Sequence, residues 1–122
     1  MATPISELVR AVRPFASRAR HGGPTLPPEL LEQAAEGIDE CTDALSLLEG
    51  GIWCIDEDPA RREQLFGLYT CARRRDLGDF PVLQQAADRF RVRLVEVMVA
   101  GDLTSRFTPR HLRAEIEAAR TA

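Results

Sequence analysis

The stretch PELLEQAAEGIDECTDALSLLEGGI, residues 28–52, decides the fold. Leu31, Ala34, Ile38, Cys41, Leu45, Leu48 and Ile52 recur at alternating intervals of three and four, the spacing that lines side chains along one stripe of an α-helix. The acids Glu32, Glu36, Asp39, Glu40 and Asp43 fall between them, where such a helix meets water. Pro28 stands where a helix opens, because its missing N–H has no partner there anyway, and Gly50 and Gly51 stand where one closes. A helix with a single apolar seam needs other helices to cover that seam. The stretch therefore predicts a helical bundle.

The same punctuation repeats on both sides. A first helix is predicted from Pro4, behind a Thr3 cap, towards Arg20, stopped by Gly22 and Gly23 and kinked or interrupted at Pro14. A third opens at Asp58 and Pro59 and closes before Gly78; a fourth opens at Asp79, carries Pro81 in its first turn and ends at Gly101; a fifth runs from Thr108 and Pro109 to the C-terminus. Leu65, Leu68, Tyr69 and Ala72 are the expected core of the third helix. Leu83, Ala87, Phe90, Leu94 and Val97 serve the fourth, whose end at Val97, Met98 and Val99 is apolar on most sides, and Leu112, Ile116 and Ala119 serve the fifth. Gly37 and Gly67 interrupt helices at a cost of up to about 1 kcal/mol each, which points to close helix crossings.

No segment alternates with period two, and the helix starts are unevenly spaced, so neither a sheet nor a solenoid is expected. The prediction is an all-α fold, a compact antiparallel bundle of about five helices in one domain spanning 1–122. Within it, residues 1–26 form a basic N-terminal helix with a Gly/Pro-rich connection, and residues 27–122 form the core bundle.

Composition narrows the chemistry. The formal charge of −3 is too small to imply a nucleic-acid or membrane coat. All 16 basic residues are arginine, so a P-loop lysine, a pyridoxal-phosphate Schiff base and a lysine-anchored biotin or lipoate are excluded. Cys41, Cys54 and Cys71 show no Cys-x-x-Cys pairing and suit reduced, mostly buried thiols, with Cys54 the one expected to be exposed. No apolar run approaches the length of a bilayer span and no apolar leader is apparent, so a cytoplasmic location without membrane attachment is expected. His21 and His111 belong to no metal motif, and Asp56, Glu57 and Asp58 lack the ligand alternation of a calcium loop. No cofactor, metal or catalytic residue is predicted.

Charge is nevertheless segregated. Residues 1–20 carry four Arg and one acid, residues 21–60 ten acids and no Arg, and residues 61–122 twelve Arg and eight acids. An acidic second helix set between basic neighbours explains this internally; an acidic docking face for a basic partner explains it externally. Trp53, in the connection after the second helix, either plugs one end of the bundle or anchors a partner or second subunit. The expected function is a non-catalytic protein–protein interaction module, an adaptor, chaperone-like or regulatory subunit. Its contact residues would be Glu32, Glu36, Asp39, Glu40, Asp43 and Trp53, and the apolar seams also permit a homodimer. A DNA-associated regulator using the third and fourth helices, with Arg73, Arg74 and Arg75 on nucleic acid and Arg89, Arg91 and Arg93 nearby, is the alternative, disfavoured by the net acidity. A small helical enzyme with an unrecognised pocket comes third.

Overall fold

A computed structural model describes residues 5–20, 26–101 and 105–121. Five helices form, α1 (Ile5–Arg20), α2 (Pro28–Glu49), α3 (Pro59–Arg74), α4 (Pro81–Ala100) and α5 (Arg110–Thr121), and no strand occurs among the described residues. α4 packs against α2, α3 and α5, while α1 packs against α2 and α3. The helices α1, α2, α4 and α3 thus close a ring, in that order, with α5 laid on α4. Asp39 pairs with Arg89 and Glu49 with Arg93, so α2 and α4 run in the same sense, as alternate members of an up-and-down chain do.

Local signals explain most boundaries. The Asp58 carboxylate accepts the Arg61 backbone N–H at 3.1 Å, capping α3 ahead of Pro59. α3 closes at Arg74, with Arg75 in the left-handed region at φ 58°. The Arg75 N–H bonds to the Ala72 carbonyl and the Asp76 N–H to the Cys71 carbonyl, both at 3.1 Å. This is the paired closure usually built on glycine. Arg75 therefore leaves the helix on which it was expected. Gly78 bonds back to the Arg75 carbonyl, and a Cβ there would sit 3.1 Å from that oxygen. Phe80, rather than Asp79, occupies the cap position of α4. α5 begins at Arg110, and the Thr108 hydroxyl two residues earlier has no hydrogen-bond partner among the described residues. Helix α1 continues through Pro14 without a break. The Thr3 cap, Pro4, His21, Gly22 and Gly23 lie outside the described residues.

One apolar cluster runs through all five helices. Ile5, Leu8 and Val12 of α1 join Ala34, Ile38, Leu45 and Leu48 of α2, and Leu83, Phe90, Leu94, Val97 and Met98 of α4 fill the centre. Leu65, Leu68, Tyr69 and Ala72 are buried as their spacing predicts, as are Leu112 and Ile116. Leu31 and Cys41 are only half-buried, and Ala119 is exposed because α5 touches the bundle along one narrow stripe. Ile52 departs furthest from its predicted place on the α2 seam, with 79% of its surface exposed. α2 stops at Glu49, Gly51 turns the chain at φ 75°, and the N–H groups of Ile52 and Trp53 both return to the Leu47 carbonyl. The helical period has ended before Ile52 is reached.

The two mid-helix glycines differ. A Cβ on Gly37 would stand 3.0 Å from Leu8 Cδ1 and 3.2 Å from Ile5 Cδ1, so this glycine permits the α1–α2 crossing. A Cβ on Gly67 would meet nothing within 4 Å, and no crossing accounts for it.

Candidate interaction surface

Glu29, Glu32, Glu36, Asp39, Glu40 and Asp43 lie within an arc of about 100° at 3.6 residues per turn, and all six are exposed. The seam on the opposite side of α2 fixes this orientation, since burying Ile38 and Leu45 turns the acids outward. Among the described residues Asp39 alone of the six has an ion-pair partner, Arg89 at 3.4 Å. Glu49, at the end of the helix, pairs with Arg93 at 3.3 Å. The other five acids face solvent with no cation in ion-pair range among the described residues. Neighbouring arginines thus account for the edge of the acidic face and not for its centre. Asp43 and Ser46 border an open cleft of about 640 Å³ between α2 and α4, where Asp88, Glu96 and Val92 also sit. Val92 is 58% exposed, an apolar contact beside the acids.

The arginines do not assemble into a comparable surface. Arg73 is half-buried, Arg74 and Arg75 are exposed, and Arg75 lies 4.0 Å from Asp88. Arg89 and Arg93 are engaged by α2, and Arg93 also reaches Glu96 at 3.6 Å. α4, which a helix-turn-helix would present to a DNA groove, is instead flanked by α2, α3 and α5.

Trp53 is buried, with 9% of its surface exposed, so it closes the end of the bundle together with Ile55. The exposed apolar residue of that connection is Ile52. Arg61 lies over the indole at 5.4 Å from the ring centre. The indole N–H is shut away from solvent with no acceptor among the described residues.

A polar cluster that the sequence did not single out fastens α5 to the ring. The Tyr69 hydroxyl donates to Glu115 Oε2, and Arg91 donates to Glu115 Oε1 from Nε at 3.1 Å and from Nη2 at 2.7 Å. Partial burial pushes the Glu115 carboxyl up, but the hydrogen bonds from Arg91 and Tyr69 outweigh it and hold the group below its ordinary range. Burial, reinforced by the Glu115 charge, raises the Tyr69 hydroxyl. Each group thus stabilises the form its partner needs, which suits a structural clasp. Tyr69 itself is fully buried and presents nothing to a substrate.

Cys54 is exposed and Cys71 buried as expected, whereas Cys41, on the α2 seam, is only half-buried. Burial, with Glu40 beside it, pushes the Cys41 thiol up to about 11, away from the reactive thiolate. Among the described residues no group of three or more His, Cys, Asp or Glu is arranged to hold a metal ion, and no helix is long and apolar enough to cross a membrane. No family model matches the chain, and neither a curated protein nor a solved structure shows significant similarity to it.

Proposed function

We propose that the chain is a non-catalytic protein–protein interaction module of the cytoplasm, an adaptor, chaperone-like or regulatory subunit that receives a basic segment of its partner on the acidic face of α2. The observation that carries this reading is the set Glu29, Glu32, Glu36, Glu40 and Asp43, exposed on one face and without cations in range among the described residues. Like charges held side by side on a helix destabilise it slightly, so the face costs the isolated chain something and gains from a cationic partner. Such a surface steers association over a screening length of about 8 to 10 Å. Val92, in the neighbouring cleft, supplies apolar contact that charge alone does not.

The test is triple reversal, Glu32→Arg, Glu36→Arg and Asp43→Arg, with partner capture from the native host compared at low and high salt. Docking on this face predicts that capture falls while the helical spectrum and melting temperature hold. A lowered melting temperature with capture unchanged in the folded fraction would mean that these acids serve the fold only, and would remove the proposal.

A further inference from the structure

The acidic face of α2 calls for a basic segment, and the chain carries one. Residues 106–113, RFTPRHLR, hold three arginines and no acid. Arg106, Arg110 and Arg113 are exposed, with no carboxylate in ion-pair range among the described residues. The run at Arg73, Arg74 and Arg75 does not match it, since Arg73 is half-buried and Arg75 lies 4.0 Å from Asp88. Phe107 is 38% exposed, and the guanidinium groups of Arg62 and Arg106 lie 3.6 and 4.8 Å from its ring centre. Aromatic side chains and arginine are enriched where proteins meet. The acidic side has the complementary form. Asp43, with no cation in ion-pair range among the described residues, borders the cleft between α2 and α4 in which Val92 is exposed. Arg89 and Arg93, the arginines of that cleft, are already held by Asp39 and Glu49. Among the described residues the basic run and the α2 acids make no ion pair within one chain, so each surface is left to be met from outside.

We propose that the α2 face receives residues 106–113 of a second copy of this chain. Phe107 enters the cleft against Val92, and Arg106, Arg110 and Arg113 meet Asp43, Glu40 and Glu36. This pairing rests on the reading of α2 as a docking face and names what docks there. Knob and cleft are different surfaces of the same chain, so the contact is head-to-tail, and its opposite charges steer the two copies into register.

Sedimentation of the purified chain tests this. At about 0.01 M salt, where charges act over about 30 Å, the average mass should rise with concentration, and at about 1 M, where they act over about 3 Å, it should return to that of one chain. Reversing Glu32, Glu36 and Asp43 to arginine should raise the dissociation constant at least about tenfold, as should reversing Arg106, Arg110 and Arg113 to glutamate. Phe107→Ala, which reverses no charge, should do the same. Mixing the two reversed chains should restore association. So should placing both sets of reversals in one chain, where the charge gained on α2 balances that lost on the basic run and the formal charge stays at −3. Far-ultraviolet spectra and melting temperatures on the same samples identify the variants that fold. A chain that stays single at low salt, association that survives either reversal or Phe107→Ala, or folded reversed chains that fail to rescue one another would each overturn the proposal. If the chain stays single while the α2 reversal still abolishes capture from the native host, a foreign protein occupies the face, and self-docking falls without the docking reading.

Discussion

Replacing Glu115 with alanine removes the acceptor that joins α5 to α3 and α4. The Tyr69 hydroxyl, on a side chain with no exposed surface, then loses its acceptor, at a cost of about 1 to 3 kcal/mol. Arg91, whose side chain is 33% exposed, turns to water and loses about 0.2 to 1 kcal/mol. Together these come to about 2 kcal/mol, or about 8 °C in melting temperature for a chain of this size. Tyr69→Phe in the Glu115→Ala background removes the stranded hydroxyl and should restore about 1 kcal/mol, whereas Tyr69→Phe alone should be destabilising. Denaturant unfolding followed by far-ultraviolet circular dichroism supplies the four corners of the cycle. Additivity within about 0.3 kcal/mol, or a loss below about 0.5 kcal/mol for Glu115→Ala, would refute the clasp. Acid should erase the difference. Glu115 lies below its ordinary value in the folded state, so its contribution is complete above the unfolded carboxyl pKa of about 4.3 and vanishes as the pH falls through the lower folded value. At the other extreme Tyr69 is raised, and its contribution is lost as the pH climbs past about 10 and through the folded value.

Leu45→Ala should cost about 2 to 5 kcal/mol and Phe90→Ala about 3 to 5 kcal/mol in the same unfolding assay, against less than about 0.5 kcal/mol for the exposed Glu36→Gln; similar losses at all three would mean the faces are misread. Gly67→Ala should stabilise the chain by about 0.5 to 1 kcal/mol because nothing opposes the new methyl group. Gly37→Ala, which crowds Leu8 and Ile5, should forfeit that gain, and equal effects would dissolve the distinction between the two glycines. Native-state labelling with a maleimide should modify Cys54 first, with Cys41 slow because its thiol is held up to about 11 and Cys71 slow because it is buried; equal rates would contradict these environments.

The helices were legible because their signals are local. Seam spacing predicts the burial of Ile38, Leu45, Phe90 and Leu94, and a proline behind an acid predicts where α3 begins. Where the sequence misleads, a local pattern meets a backbone event it cannot register. Ile52 keeps the α2 period but follows a left-handed Gly51, and Arg75 takes a conformation for which glycine would be expected. Gly37 and Gly67 carry the same sequence signal in opposite surroundings, which only the packing of α1 distinguishes. The segregation of acids onto residues 21–60 was visible, yet the division between paired Asp39 and its solvated neighbours depends on α4 lying alongside. Glu115 carries no sequence signal because its partner Tyr69 lies 46 residues away, and no short-range rule joins them.

The order of helices around the ring bears on how the chain emerges during synthesis. α2 finds its principal partner in α4, and the two are separated in sequence by the whole of α3. Until Pro81–Ala100 has left the ribosome, the seam of α2 has only α1 to cover it, and the inner face of α3 also waits for α4. Three helices therefore spend the interval with apolar stripes in water, the condition in which nascent chains aggregate or engage chaperones. Loop closure over that distance delays the first stable core. A chain cut before α4 is complete would be prey to proteases, whereas one cut after Gly101 would keep the ring of α1 to α4 and lose the clasp of α5 together with the buried Leu112 and Ile116.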